Sequence, residues 1–194
     1  LLLVITLVVT LITVKNTTYA DNPFITRTAN RFGELVETQD AYEAVLKIKD
    51  FNTYTLSKPT DIYIDSEDYI YIADSANKRI LVADSSNQYV TSFGQDELID
   101  PRGIFVRDNL VYVADYGIRS ESQSAPGKIV IYIFDKEAKT TTLKAIRNCP
   151  DSQVLSLSNF EFHPEKIAVD QNLTMYVVSD GSYSGVLTIN DENR

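Results

Sequence analysis

Apolar and polar residues alternate in four short runs between residues 59 and 94, and clusters of Asp, Asn and Ser separate the runs. The runs are residues 61–65, 69–73, 80–83 and 89–93. Alternation with a period of two predicts β-strands, because every second side chain of a strand lies on the same face of a sheet. Asp, Asn and Ser favour turns because their side chains hydrogen-bond nearby backbone groups. The stretch therefore predicts a four-stranded antiparallel meander of about 35 residues.

Two imperfect copies of this meander follow it along the chain. Residues 101–106 and 110–115 match residues 59–64 and 69–74, and the third copy comprises residues 164–170 and 175–180. The first residues of the copies, Pro59, Pro101 and Pro164, lie 42 and then 63 residues apart. A period near 40 with four strands per unit is typical of β-propeller blades. The pattern predicts an all-β fold with about three blades, and the longer second interval indicates insertions.

Specific motifs within these copies resemble those of a known family. The first copy contains PTDIYID (59–65), IYIADSANKRILVAD (70–84) and YVTSFG (89–94). The second keeps P-x-G-I-x-V and YVAD but departs after Asp115, and the third keeps P-x-x-I-A-V-D and YVVSD. Over residues 59–190 the chain resembles the NHL-repeat family, among the six-bladed, TolB-like β-propellers. The resemblance implies half of a six-bladed ring, and it leaves the activity open because one fold hosts many functions.

The first 20 residues have the composition of a secretory signal. Residues 1–14 are apolar apart from three threonines, too short a stretch to span a bilayer as a helix, and Thr18-Tyr19-Ala20 fits a signal-peptidase site. A charged n-region and an initiator Met are missing, so we expect the sequence to be truncated at this end. The alternative is an uncleaved anchor, and either would be the only link to a membrane. Since half a ring would leave sheet edges unpaired, we expect truncation at the other end too.

The segment between the signal and the first complete copy, residues 21–58, is predicted to hold part of a blade. Residues 34–38 and 42–48 are interpreted as the last strands of an incomplete blade, and a short helix over 42–48 is the alternative. Residues 59–194 would hold the blades themselves. This division rests on the resemblance, because the ring of such propellers closes by pairing strands from both ends of the chain.

The resemblance also implies where a ligand would bind. In propeller blades the loops from the second to the third strand lie at the same mouth of the central channel, and residues 74–79, 115–128 and 180–185 are such loops. Each begins with an Asp, which either contacts a ligand or metal or stabilises the turn and pairs with a basic residue such as Arg79. The long loop 116–127 and the tyrosines at the mouth are further candidates. The predicted binding residues are Asp74, Arg79, Asp115, Tyr116, Asp180 and Tyr183.

The single cysteine and the single histidine are weak candidates for catalysis. Cys149 cannot form an internal disulfide, and a nucleophilic cysteine would need His163 as its base. We interpret both as turn residues. Export without a disulfide framework fits a secreted or cell-surface bacterial protein.

Composition excludes several classes of function. The chain has 18 Lys and Arg against 27 Asp and Glu, a net charge of −9, which disfavours binding to nucleic acid. The sequence contains no P-loop, dinucleotide fingerprint, HExxH motif or nucleophile elbow.

Two functions from different classes remain. The first is a non-enzymatic binding module that presents its loops to a protein, peptide or glycan at the cell envelope. The second is a metal-dependent hydrolase or lyase resembling the sugar-lactonase and NHL-lyase propellers, which would hold calcium or another divalent cation with carboxylate oxygens. Asp74, Asp115 and Asp180 would be its candidate ligands.

Overall fold

A computed structural model of the chain describes residues 27–38, 47–150, 161–180 and 185–190. The chain divides into two compact units, residues 1–48 and residues 49–194. In the first unit β1 (Arg27–Ala29) pairs antiparallel with β2 (Leu35–Glu37). β2 lies within the strand predicted at 34–38, but its partner is β1. The predicted signal and most of the predicted strand 42–48 lie outside the described residues.

The second unit is a series of small antiparallel sheets. A two-stranded sheet comes first, formed by β3 (Asp50–Phe51) and β4 (Tyr54–Thr55). Sheet I contains β5 (Pro59–Ile64), β6 (Ile70–Asp74), β7 (Arg79–Ala83) and β8 (Tyr89–Phe93), paired in chain order. One turn of 3₁₀ helix, Ser75–Asn77, connects β6 to β7. The predicted meander is confirmed.

Sheet II is also a four-stranded antiparallel sheet, and sheet III has three strands within the described residues. Sheet II contains β9 (Pro101–Arg107), β10 (Leu110–Asp115), β13 (Lys128–Asp135) and β14 (Thr140–Arg147). A hairpin of β11 (Ile118–Arg119) and β12 (Ser124–Ala125) is inserted between β10 and β13. Sheet III contains β15 (His163–Val169), β16 (Met175–Asp180) and β17 (Val186–Ile189). The predicted all-β class is confirmed, and no sheet in the described ranges closes on itself.

Aspartates at the ends of strands shape the hairpin turns. The Asp65 carboxylate accepts the N–H groups of Glu67 and Tyr69, and Asp84 and Asp170 accept equivalent pairs two and four residues further on. These side chains replace the backbone acceptors that a tight turn leaves out of reach. The recurrence of Asp at the ends of strands is therefore explained by the hydrogen bonds that its side chain makes in the turn.

One hydrophobic core joins sheet I to sheet II. Phe134 of β13 is 1% exposed, and its ring meets Tyr69 and Tyr71 edge-on with centroids 5.9 and 6.1 Å away. Edge-to-face contacts of this kind stabilise aromatic pairs beyond the burial of their area. The buried members of this core are Tyr71, Ala73, Ile80, Val82, Phe93, Leu98, Ile104, Val106, Val111, Val113, Val130, Tyr132 and Phe134.

A second core joins the opposite face of sheet II to sheet III. Its buried members are Tyr112, Ala114, Ile129, Ile131, Phe162, Ile167, Val169, Met175, Val177 and Ile189. Sheet II is therefore covered on both faces. Strands buried on both faces are nearly continuously apolar rather than alternating, which explains the run KIVIYIF at 128–134.

The first strands of the three sheets lie side by side. Thr60 of β5 donates a hydrogen bond to the carbonyl of Pro101, and the Asp61 carboxylate accepts the N–H of Ile104 at 2.8 Å. Asp61 also pairs with the Lys166 ammonium of β15 at 2.7 Å. These contacts tie sheets I, II and III together at one edge of each.

Asp65 makes the fold sensitive to acid. Burial raises the pKa of its carboxyl, but the Lys136 ammonium, the N–H donors of Tyr69 and Glu67 and the Tyr71 hydroxyl outweigh burial, so the pKa lies below its ordinary value. A lowered pKa in the folded state contributes stability above the ordinary aspartate pKa, and this stability is lost as the pH falls through the lowered value.

We therefore expect Lys136→Met, which removes the 2.8 Å contact with Asp65, to raise this pKa and start acid unfolding at a higher pH. Circular dichroism followed from pH 7 downwards measures the midpoint. Lys144→Met, at an exposed position on β14, is the matched control. An unchanged midpoint for Lys136→Met would show that the lysine does not stabilise the Asp65 anion.

Candidate functional site

Two of the three predicted loop aspartates hold the fold together. Asp74 is fully buried, and its carboxylate accepts the Ser57 N–H at 2.6 Å and the Arg79 Nε–H at 2.8 Å. Asp115 is equally buried, and it accepts the N–H groups of Ile99 and Asp100 at 3.1 and 2.7 Å. Each aspartate thus fastens the end of a second strand to the segment that precedes the first strand of its sheet.

The groups around the Asp115 carboxylate are consistent with a structural role for this residue. Burial raises the pKa of its carboxyl above the ordinary value, although the N–H donors of Asp100 and Ile99 and the Lys128 ammonium act in the opposite direction. The Lys128 nitrogen lies 3.8 Å from the carboxylate. The carboxylate is therefore satisfied by its own chain.

In sheet III a serine, not Asp180, takes the position of these aspartates. Pro59 pairs with Asp74 and Pro101 with Asp115, whereas Pro164 pairs with Ser179. The Ser179 hydroxyl accepts the N–H of His163 at 2.9 Å, which replaces the aspartate contact. Asp180 follows one residue later, so the predicted equivalence of Asp180 with the other two aspartates is wrong.

Asp180 instead belongs to a polar cluster that joins sheets II and III. Its carboxylate accepts the Tyr116 hydroxyl at 2.7 Å and lies 3.3 Å from the Arg119 guanidinium. The Arg102 guanidinium lies 3.4 Å from the centre of the Tyr116 ring. We call these four residues, Arg102, Tyr116, Arg119 and Asp180, the Tyr116 cluster.

The charged groups of the Tyr116 cluster surround the ring and the hydroxyl of Tyr116. Burial and the Asp180 carboxylate raise the pKa of Tyr116 above its ordinary value, so the hydroxyl stays a hydrogen-bond donor at physiological pH. A guanidinium over a tyrosine face is attracted by the ring quadrupole. The side chains of Arg119 and Asp180 are 45% and 46% exposed. The cluster thus offers a donor and an acceptor to solvent.

Three members of the cluster, Arg102, Tyr116 and Arg119, line one wall of a cleft of about 390 Å³, and Asp180 contacts two of them from outside the lining. Residues at the end of sheet I form the opposite wall, among them Lys58, Ser75 and Lys78. Asp100 also lines the cleft, and it contacts the Ser75 hydroxyl, the Arg102 guanidinium and the Lys58 ammonium. Burial raises the pKa of Asp100, but these contacts outweigh it and the pKa lies below its ordinary value. The cleft therefore presents charges of both signs.

The six predicted binding residues differ in their positions and in their burial. Tyr116 lines the cleft and donates a hydrogen bond to Asp180, which lies outside the lining. Asp74 and Asp115 are buried and do not line it, and Arg79 is 8% exposed, pairs with Asp74 and donates to the Thr55 carbonyl. Tyr183 lies outside the described residues.

Arg102, Asp100 and Arg119 are not among the binding residues predicted from the sequence. A signal for Arg102 was available, because it directly follows Pro101, and the equivalent residues Thr60 and Glu165 also contact the neighbouring sheet. Asp100 precedes the same proline. Arg119 lies in an insertion with no counterpart in the other copies, so no repeat position could indicate it.

Cys149 and His163 have separate partners. The His163 ring is buried, with its Nδ1 atom 2.7 Å from the carbonyl of Tyr116 and its Nε2 atom 3.5 Å from Glu161. Cys149 lies 3.7 Å from the Pro150 carbonyl, and burial raises the pKa of its thiol. A raised pKa disfavours the nucleophilic thiolate. His163 is the buried first residue of β15, so its interpretation as a turn residue is wrong, whereas Cys149 follows the end of β14 and lies in a bend.

The candidate metal ligands do not fit a divalent cation. The carboxylates of Asp74 and Asp115 already accept backbone N–H groups, and each has a cationic side chain beside it, Arg79 or Lys128. A cation there would have to displace these donors and face a like charge. In the ranges that the structure describes, no group of three His, Cys, Asp or Glu side chains is arranged to hold a metal ion.

Comparison with known proteins identifies no relative from which the function of the site could be inferred. No protein-family model matches the chain, and no curated protein matches it. Within the described residues, none of the helices combines the length and the apolar character needed to cross a membrane.

Proposed function

We propose that sheets I, II and III are consecutive blades of an NHL-type β-propeller and that the chain is an exported binding module. The ligand would be a protein, a peptide or a glycan at the cell envelope or outside the cell, held in the cleft beside the Tyr116 cluster. The observation that carries the proposal is that this cluster joins two sheets while the Arg119 and Asp180 side chains remain partly exposed. The carboxylates of Asp74 and Asp115, by contrast, are buried and bind groups of the chain itself.

Several features support the propeller interpretation. The first strands of the three sheets lie side by side, and each sheet packs face to face on the next through an apolar core. The strands of each sheet follow one another as an antiparallel meander, which is the order within a blade. Export is supported by the apolar residues 1–14 and the small residues near Ala20.

The chemistry of the cleft favours a polar ligand with both donors and acceptors. Arg119 and Asp180 lie 3.3 Å apart at the surface, so a ligand can exchange places with either partner. Arg102 stacks on the Tyr116 ring and is held in place by ion pairs with Asp100 and Glu165. Hydroxyl groups of a glycan or amide groups of a peptide match this pattern, since both donate and accept hydrogen bonds.

The proposal is tested on arrays of envelope glycans and of peptides with the full chain. We expect binding to one of the two classes, and we expect Arg119→Ala and Asp180→Ala each to weaken it about tenfold, the loss of one charge-assisted hydrogen bond. Lys144→Ala, exposed on β14 and remote from the cleft, is the control. Binding that is unaffected by both cleft variants, or no binding to either array, would contradict the proposal.

Calcium discriminates this proposal from the metal-dependent hydrolase or lyase. A ligand that binds only the folded state must raise the melting temperature. We expect the melting temperature to be the same in millimolar calcium and in chelator, because the buried aspartates already have partners. A calcium-dependent rise that Asp115→Asn abolishes would favour the hydrolase.

A further inference from the structure

The charged side chains that line the cleft are mostly cationic, although the chain as a whole is acidic. Lys58 and Lys78 line the wall of sheet I, Arg102 and Arg119 line the opposite wall, and Asp100 is the one carboxylate among the described lining residues. The whole chain, by contrast, has 18 Lys and Arg against 27 Asp and Glu. The cleft therefore presents a local charge opposite in sign to the net charge of the chain.

Further carboxylates that pair with the two arginines lie outside the lining of this cleft. Arg102 lies 2.7 Å from Glu165, and Arg119 lies 3.3 Å from Asp180 and 3.6 Å from Glu161. None of these three acidic residues lines the cleft. The guanidinium groups are thus oriented by carboxylates behind them, while the positive charge faces the space that a ligand would occupy.

The two lysines on the wall of sheet I are less engaged than the arginines. The Lys58 side chain is 61% exposed, and its ammonium lies 3.6 Å from Asp100, beyond hydrogen-bond distance. Lys78 is also exposed, and within the ranges that the structure describes its ammonium forms no ion pair. Both ammonium groups can therefore donate to a bound anion without breaking a close contact.

We propose that the ligand of this cleft is an acidic glycan, whose sugar residues carry carboxylate groups, and that Lys58 and Lys78 bind these carboxylates. The inference rests on the proposed function and adds the charge and the class of the ligand. Ammonium and carboxylate form charge-assisted hydrogen bonds, which are stronger than those between neutral groups. Hydroxyl groups of the same sugars bind the polar groups of the opposite wall.

The aromatic residue of the lining offers no open face to a neutral sugar. Tyr116 is 7% exposed, because the Arg102 guanidinium lies 3.4 Å from its ring centre and the His163 ring lies 4.7 Å away. Stacking of a sugar on this ring is therefore blocked. Recognition in the cleft depends on charge and hydrogen bonds, which favours a charged glycan over a neutral one.

Carboxylates placed among the cations favour a sugar acid over an acidic peptide. A second cleft of about 390 Å³ shares Lys58 and Arg102 with the first and adds Glu165 and Lys166. A run of acidic residues would bring like charges against Asp100 in one cleft and Glu165 in the other, which is unfavourable. A chain of sugar acids instead repeats carboxylates for the lysines and hydroxyl donors for these two carboxylates.

Titration calorimetry of the full chain with matched pairs of oligosaccharides tests the proposal. Each pair consists of a uronate oligosaccharide and its carboxyl-reduced counterpart, which keeps the linkages and the ring hydroxyls but has no charge. We expect an acidic member to bind and its reduced counterpart to bind at least about tenfold more weakly. We also expect the affinity to fall as the ionic strength rises.

Lys58→Asn and Lys78→Asn remove the charges without disturbing the backbone. The φ angles of these lysines are 54° and 53°, in the left-handed region that asparagine tolerates. We expect each variant to weaken binding about threefold to fivefold, the effect of one exposed charge pair, at an unchanged melting temperature. Lys139→Asn is the matched control, because Lys139 is exposed, has a φ of 55° and follows the far end of β13. It should bind as the unsubstituted chain does.

The outcomes separate this inference from the proposed function. Equal binding of both members of a pair, weakened by Arg119→Ala, retains the binding module and overturns the acidic ligand. Binding of hexaglutamate but of no glycan assigns the cleft to an acidic peptide and overturns the inference too. An equal loss in Lys139→Asn and Lys78→Asn overturns the assignment of the carboxylate site to this cleft. Absence of binding to every glycan and peptide overturns the proposed function itself.

Discussion

Replacing Asp74 by alanine is expected to destabilise the chain by about 3–5 kcal/mol, the cost of removing one partner of a buried ion pair. The loss leaves the Arg79 guanidinium buried without its 2.8 Å carboxylate, and it removes the acceptor of the Ser57 N–H. The segment before β5 would then detach from the end of β6. Urea unfolding followed by circular dichroism measures the difference in the free energy of unfolding.

Asp180→Ala is the matched control for this experiment. The sequence motif presents the two aspartates as equivalent, yet the Asp180 side chain is 46% exposed and its ion pair with Arg119 lies at the surface. Surface pairs contribute up to about 1 kcal/mol. A loss of stability in Asp180→Ala as large as that in Asp74→Ala would contradict the assignment of the fold-holding role to Ser179.

Replacing Phe134 by alanine is expected to destabilise the chain by about 3–5 kcal/mol, the usual cost of removing a large buried aromatic side chain. The cavity would open between sheets I and II, where the ring contacts Tyr69 and Tyr71. The chain contains no tryptophan and 12 tyrosines, so tyrosine fluorescence reports on rings along the whole chain, among them Tyr69 and Tyr71 at this interface. We expect the fluorescence and circular dichroism transitions to shift together if the two sheets unfold cooperatively.

Leu143→Ala provides the comparison, since Leu143 is also an apolar residue of sheet II but is 46% exposed on β14. Its effect should stay within about 0.5 kcal/mol. If fluorescence and circular dichroism gave separate transitions in Phe134→Ala, the common core would not couple sheets I and II.

The strands could be predicted from the sequence because their signals are local. The alternation within YIYIA and the Asp residues at strand ends depend only on near neighbours along the chain. The antiparallel pairing of sheet I follows from its short turns. The run at 128–134 also has a local strand signal, because its residues are almost all β-branched or aromatic.

The site depends on contacts that no local pattern contains. Arg102 and Tyr116 are 14 positions apart, and Asp180 is a further 64 residues away, so their meeting reflects the packing of sheets II and III. The error over Asp180 has a simpler cause, because matching by the visible Asp ignored the spacing from Pro164. Counting from the proline, as for Asp74 after Pro59, leads to Ser179.

The insertion between β10 and β13 has a base whose residues are constrained by the fold and a hairpin whose residues are not. Its base is fixed, because Asp115 pairs with Lys128 across the sheet and a side chain on Gly117 or Gly127 would collide with backbone atoms. The hairpin beyond that base, residues 118–125, reaches the cleft through Arg119 without contributing to either hydrophobic core. If the cleft binds a ligand as proposed, substitutions and changes of length in this hairpin alter ligand preference at little cost to folding, and a foreign recognition loop can be grafted there.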